Sequence, residues 1–249
     1  MIDFNPQDYQ PGFSVDNVIF GFHDRELKVL LMKLKQMEQW SLPGGFVQRE
    51  EDVDQAAQRV VQERTGLGEL FLQQFFLFGQ VDRNDQGHAA HLQRIGLLEG
   101  ELFAWFNQRF ISMGYYALVE YSQVQQPAPD FISERCEWCN LEELPPMMLD
   151  HARIVQTAHQ ALRRDLRHKP IGLNLLPKRF TMPELQALYE TILGLPLDRR
   201  NFQRKMLSYG ILHRTEERRK GGAHKAPWLY EFDEEAYAQA LAEGLQTGW

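Results

Sequence analysis

Apolar positions enter the chain in short runs. Ser14–Phe22 (SVDNVIFGF) and Leu27–Leu34 (LKVLLMKL) stand either side of the polar turn His23-Asp24-Arg25-Glu26, a pattern that predicts two strands. Ser41–Val47 (SLPGGFV) is a short extended piece broken by Pro43-Gly44-Gly45. Between Asp52 and Thr65 the period changes. Val53, Ala56, Ala57, Val60 and Val61 recur at helical spacing, and Gly66 stops the run. Leu70–Gly79 and Gly114–Tyr121 (GYYALVEY) return to strand, and Pro145-Pro146 with Asp150 introduce a helix carrying Ile154, Val155, Ala158, Leu162 and Leu166. Strands, helix, strands, helix make an α+β or sandwich-type domain over 1–167. The two prolines of 168–177 (HKPIGLNLLP) mark a linker.

A second domain follows over 178–249. Thr181-Met182-Pro183-Glu184 has the form of a capping box, with Thr181 as N-cap and Glu184 three residues on. The helix it opens runs to about Leu193 and gathers Leu185, Leu188, Tyr189 and Ile192 on one face. Asp198 caps the next helix, Arg199–Tyr209, which Gly210 ends. Ile211–Thr215, a charged loop over Glu216–Ala226, and Trp228–Phe232 read as a β-hairpin ahead of a C-terminal tail. Helix, tight turn, helix and hairpin is the order of a winged helix-turn-helix.

Charge separates the two domains. The chain is −7 overall, but Lys178–Lys225 is +6 and the other 201 residues are −13. A basic segment on an acidic protein fits a polyanion-binding module, although a solvated arginine-rich surface has the same composition. At 43% hydrophobic residues the chain has material for a sizeable core, which excludes intrinsic disorder. No run approaches the roughly 18 apolar residues of a membrane span. The opening MIDFNPQDYQ lacks a signal-peptide pattern, and two cysteines make no disulfide scaffold, so a cytoplasmic protein is expected.

Within 45–67, Gly45 is followed after five residues by Glu51, after seven more by Arg59, and the run closes on Gly66-Leu67. With LPGG ahead of it, this spacing resembles the Nudix box, and the elements around it suit the Nudix α/β/α sandwich. The resemblance implies a helical carboxylate cluster that holds Mg²⁺ against a diphosphate. Here the three cluster positions are Val60, Glu63 and Arg64, so one carboxylate has become apolar and another a permanent cation. Gly45, Glu51, Arg59, Gly66 and Leu67 are intact, and a Glu51–Arg59 pair would hold the loop on the helix. The expectation is a degenerate box with no catalytic residues, no metal and no cofactor. Trp40, Gly44, Gly45, Arg49, Glu63 and Arg64 would line a ligand pocket, with Trp40 against a ligand ring and the arginines toward an anion. Two alternatives stay open. Arg64 is merely a surface arginine, or a hydrolase persists on other carboxylates such as Glu50, Glu99 or Glu101.

In the second domain, Phe202, Met206 and Leu207 are expected inward. Arg199, Arg200, Asn201, Gln203, Arg204, Lys205 and Ser208 then face outward, a set suited to phosphates and base edges in a major groove. The hairpin loop adds Arg218, Arg219, Lys220, His224 and Lys225 among glycines, suited to a backbone or minor groove. PKRFTMPELQALYETILGLPLDRRNFQRKML, GYYALVEY and LPPMMLDHARI together resemble the Nudix-related transcriptional regulators of the NrtR family over nearly the whole chain. That resemblance implies a homodimeric repressor of double-stranded operator DNA. Its affinity would change with a small effector, either ADP-ribose or an NAD-related metabolite, or in one branch a pentose such as L-arabinose. A Mg²⁺-dependent pyrophosphohydrolase with an appended domain, and a scaffold whose basic module binds a protein, are the competing readings.

Residues 86–109 depart from the family pattern as an insertion, whose Phe103 and Trp105 are placed to cover the pocket. Cys136 and Cys139, a lone CxxC, are expected as strand thiols and not as a zinc or redox site. His88, His91 and His151 are expected at the surface or capping a helix.

Overall fold

The computed structural model describes residues 4–35, 37–68, 70–83, 86–94, 96, 98–124, 133–219 and 226–245. By packing, the chain divides into two units. The first comprises 1–20, 29–117 and 126–158, and the second 21–28, 118–125 and 159–249.

The strands that lie wholly or mostly in the first unit are β1 (Tyr9–His23), β2 (Glu26–Leu34), β3 (Trp40–Ser41), β4 (Gly44–Gln48), β5 (Leu72–Phe78), β6 (Ile111–Glu120) and β7 (Ser133–Asn140). They form a sheet of order β3-β2-β1-β6-β5, with β4 also pairing β1 and β7 also pairing β2. Because β1 is central, Ser14–Phe20 is buried without alternation, and this run takes Asp16 and Asn17 inside. Helix α1 (Val53–Thr65) packs Ala56, Ala57 and Val60 against Val15, Val47 and Tyr115, and Gly66 ends it in the left-handed region at φ 69°. Gln55 closes its N-terminus by accepting from the Asp52 amide at 2.9 Å.

Residues 86–109, unassigned from periodicity, include α2 (Gln86–Arg94) and α3 (Gly100–Phe106). Leu92 and Leu98 join Met37 in a small core that also takes up Phe103. Strand β7 carries a buried Cys136 and a half-buried Cys139. Helix α4 (His151–Asp165) is one uninterrupted helix whose residues after Ala158 belong to the second unit. There Arg163 donates to the Leu193 carbonyl, and a His159 ring nitrogen lies 3.3 Å from that of Ile192.

The second unit holds β8 (Phe180–Thr181), α5 (Met182–Leu193), α6 (Arg199–Ser208), β9 (Leu212–Arg218), β10 (Trp228–Phe232) and α7 (Glu234–Glu243). The three strands order as β8-β10-β9. The Thr181–Glu184 capping box is formed, with Glu184 accepting from the Thr181 amide at 2.7 Å. Gln186 donates to the Leu197 carbonyl and Glu190 accepts from the Leu197 amide, both at 2.8 Å, which sets the turn between α5 and α6. Two elements were not foreseen. Strand β8 is too short to show a period, and α7, alanine-rich and capped by Asp233, buries little besides Tyr237.

The segment 168–177 is packed within the second unit. Ile171, Leu175 and Leu176 are buried, the Tyr237 hydroxyl donates to the Pro170 carbonyl at 2.8 Å, and the Ile171 amide donates to the Tyr189 hydroxyl. Among the described residues no helix is long and apolar enough to cross a membrane.

Candidate functional site

In the first unit the box loop and helix are held together as the spacing implied. Arg59 Nε and Nη2 donate to the two oxygens of Glu51 at 2.9 and 2.6 Å, and Nη2 also reaches the Phe46 carbonyl at 2.9 Å. The Gln48 amide completes the Glu51 carboxylate at 2.7 Å. Burial opposes the charge on Glu51, but Arg59 and the Gln48 amide outweigh it and hold the carboxylate below its ordinary range.

The cluster positions are built into packing. Val60 is 2% exposed and lies so close to the loop that a Cβ on Gly45 would come within 2.6 Å of its Cγ2. Arg64 Nε donates to the Gly44 carbonyl at 3.1 Å, so this arginine is a tie between helix and loop and not a plain surface residue. Glu63 is taken up by Arg59 Nη1 at 3.0 Å. An apolar side chain, an engaged carboxylate and a guanidinium do not fit a divalent cation. Among the described residues no group of three or more His, Cys, Asp or Glu side chains could hold a metal. Glu50, Glu99 and Glu101 are exposed and assemble no substitute.

Arg49 and Trp40, also expected in the pocket, have surroundings of their own. Arg49 has an exposed side chain, and its amide donates to the Asp8 carbonyl at 2.9 Å. Trp40 carries the Arg135 guanidinium 5.4 Å over its ring and is bonded through its backbone to Pro146 and Met148, so its partner here is a cation of the same domain. Trp105 of α3 does lie on the box loop, 5.7 Å from the Phe46 ring, in an aromatic group with Phe4, Tyr9 and Phe110. Phe103 turns instead to the Met37–Leu98 cluster. Two open clefts of about 500 and 450 Å³ flank the outer face of α1, sharing Asp54 and Gln58 in their walls.

Beneath Gly44 lies a buried polar cluster that sequence reasoning missed. Asp16, which pairs with Gly44 across β1 and β4, accepts from Arg83 Nη2 at 2.9 Å and from the Ser112 hydroxyl at 2.6 Å. Arg83 Nε reaches both oxygens of Asp150, at 3.0 and 2.9 Å. His151 is corrected from a surface or capping residue: it is 6% exposed, its Nδ1 accepts from the Leu42 amide at 2.9 Å, and its Nε2 faces Asp16 at 3.6 Å. That arrangement describes a neutral imidazole with its proton on Nε2. The only advance signal was an aspartate inside the apolar run of β1. The side chains of His88 and His91 lie outside the described residues.

This cluster explains the glycine. A Cβ at Gly44 would stand 2.5 Å from Asp16 Oδ1, on a carboxylate that Arg83 and Ser112 hold through its other oxygen. Gly44→Ala is therefore expected to destabilise the protein by about 1–3 kcal/mol in thermal melts. Gly68→Ala, where an added Cβ meets nothing within 4 Å, is the control and should leave the melt unchanged.

In the second unit, α6 presents Arg199, Arg200, Asn201 and Arg204 to solvent over buried Phe202 and Met206. Arg204 bonds the Asn201 side-chain oxygen at 3.0 Å. Gln203 and Lys205 are half-buried, and desolvation lowers the Lys205 pKa. Leu207, expected inward, is 45% exposed, because five residues from Phe202 is roughly 140° round the helix. In the hairpin, Arg218 stacks on Trp228 with its guanidinium 3.9 Å from the ring centroid, and Arg214 lies 5.0 Å from the same ring. Arg219 is exposed but paired with Glu184 of the capping box. Lys220, His224 and Lys225 lie outside the described residues.

A sandwich carrying a Nudix box and a helix-turn-helix with a basic wing define the class: a Nudix domain joined to a DNA-binding winged helix. Family models agree, matching the NUDIX domain at residues 11–158 and the NrtR DNA-binding winged helix domain at 172–232. The ADPR responsive transcriptional repressor of Acinetobacter baylyi is 30% identical over 240 residues, covering 93% of this chain and 86% of the relative. The ADP-ribose pyrophosphatase of Methanocaldococcus jannaschii is 26% identical over 150 residues, 59% of this chain and 72% of that protein. The crystal structure of Shewanella oneidensis NrtR has the same fold, with a TM-score of 0.73 at 23% identity over 96% of this chain and all of that one. The chain belongs to the NrtR family of Nudix-related transcriptional regulators.

Proposed function

We propose that this protein is a cytoplasmic, homodimeric repressor of operator DNA whose Nudix domain senses ADP-ribose or a related NAD metabolite without cleaving it. The observation that carries the reading is the state of the box. Its scaffold, Glu51 on Arg59, is intact, while Val60 is packed on Gly45 and Arg64 is bonded to the Gly44 carbonyl. A pocket so built can retain shape and lose the carboxylate cluster that hydrolysis needs. The A. baylyi relative, described as ADPR responsive and a repressor, supports the same assignment over most of the chain. Arg199, Arg200, Asn201, Gln203, Arg204 and Lys205 of α6 are the proposed groove residues, with Arg218, Arg219, Lys220, His224 and Lys225 of the wing on the backbone. A twofold dimer would set two copies of α6 on the halves of a palindromic site.

Fluorescence anisotropy with duplexes from the protein's own upstream region, across several salt concentrations, tests the reading. The expected result is tight, salt-sensitive binding that ADP-ribose weakens, with no change on adding L-arabinose. A response to L-arabinose alone would move the effector to the pentoses. Absence of binding at low salt, to these or to randomised duplexes, would overturn the operator assignment. Mg²⁺-dependent release of AMP from ADP-ribose would overturn the non-hydrolytic one.

A further inference from the structure

We infer that Arg64 stands in for the divalent cation of the box, so that this Nudix domain is assembled, and takes up its ligand, without a metal ion. The ligand part rests on the ADP-ribose reading above. The metal part rests on the residues alone.

Charge makes the first argument. Across positions 51, 59, 60, 63 and 64, a box with glutamate at 60 and 64 would carry −3, four carboxylates against one arginine. This chain, with Glu51, Arg59, Val60, Glu63 and Arg64, carries 0. A divalent cation in the first case neutralises a repelling cluster. In the second it would bring uncompensated positive charge beside Arg59 and Arg64.

Position makes the second. Arg64 Nε donates to the Gly44 carbonyl from the last turn of α1, so a cation fixed to the helix already tethers the loop. Glu51 and Glu63 both accept from the single guanidinium of Arg59, which leaves this pair of carboxylates already neutralised in part. Val60 fills the remaining position with hydrocarbon against Gly45. Each site where the box would supply an oxygen to a metal is therefore occupied by packing or by an intramolecular cation.

The test uses the full chain. Mn²⁺ titration followed by electron paramagnetic resonance should leave the free-ion signal of the wild type intact. Val60→Glu/Arg64→Glu should take up about one Mn²⁺ per chain, as carboxylates return to one helix face. Arg64→Glu alone serves if the double variant does not fold, as judged by circular dichroism. In calorimetric titrations, ADP-ribose affinity should differ by less than about twofold between EDTA and Mg²⁺. Uptake of Mn²⁺ by the wild type that Glu63→Gln abolishes would overturn the inference. So would a loss of ADP-ribose affinity of roughly tenfold or more in EDTA, or a folded glutamate variant that leaves Mn²⁺ free. Failure of ADP-ribose to bind under either condition would sink the sensing assignment, and the Mn²⁺ experiment would still decide the metal question.

Discussion

Replacing Arg83 by Met should lower stability by about 3–5 kcal/mol, because a buried ion cluster that loses its cation leaves an uncompensated buried carboxylate. Arg83 and Asp16 are each at least nine-tenths buried, and the guanidinium also ties Asp150 and the Phe110 carbonyl. Removing it strands Asp16 with Ser112 and a neutral imidazole. In differential scanning calorimetry a transition should move down by several degrees, and Arg83→Met/Asp16→Asn should recover part of the loss. An unchanged Arg83→Met melt would mean that the pairing only offsets its own desolvation.

The same cluster sets a dependence on pH. Burial lowers the pKa of His151 from 6.5, partly countered by Asp16, with Arg83 lowering it further and Asp150 raising it. The unfolded chain takes up that proton more readily than the folded one, so stability is full above about pH 6.5 and declines as pH falls below it. Burial opposes ionisation of Asp16, but a protonated His151, Arg83 and Ser112 act against it and hold the carboxyl below 3.8. With His151 neutral, Arg83 is the standing charge among them. The Asp16 contribution is therefore present above pH 3.8 and is lost only in stronger acid. Stability measured against pH should fall in two stages, and His151→Gln should remove the upper one.

Arg199→Ala/Arg200→Ala/Arg204→Ala should abolish tight operator binding. Each arginine that meets a base or phosphate is worth about 1–3 kcal/mol, so the triple variant loses affinity on the order of a thousandfold or more. The slope of log K against log salt should flatten by about 0.9 for each phosphate that is no longer neutralised. All three side chains are exposed, so the melt should be that of the wild type. Gln203→Ala should relax base preference. Arg219→Ala should weaken all duplexes alike and by less, since Glu184 already neutralises part of the Arg219 charge. A triple variant that keeps its affinity and salt slope would remove α6 from the interface.

Local pattern carried a good deal of this architecture. A helix declares itself by a repeat within a dozen residues, and a cap by two residues three apart. The box helix, the Glu51–Arg59 clasp eight positions long, the Thr181–Glu184 capping box and the Asp198 cap were all legible in the sequence, because each partner lies within a turn or two of the other. That Val60 and Arg64 stand at two of the cluster positions was legible for the same reason.

What lies between distant strands was not. Asp16, Arg83, Ser112 and His151 span 135 positions, and they meet because β1 lies between β2 and β6 and faces the α4 start, an order that no periodicity encodes. The attachment of Arg64 to Gly44, of Arg135 to Trp40 and of Arg219 to Glu184 is likewise a matter of which surfaces come to face each other. The sequence by itself determined the elements, their caps and the residue types at positions 60 and 64, because these depend on hydrogen bonds and faces within one segment. Only the tertiary structure decided where the displaced charges went, because a buried ion is stable only beside a partner, and the chain finds that partner by folding.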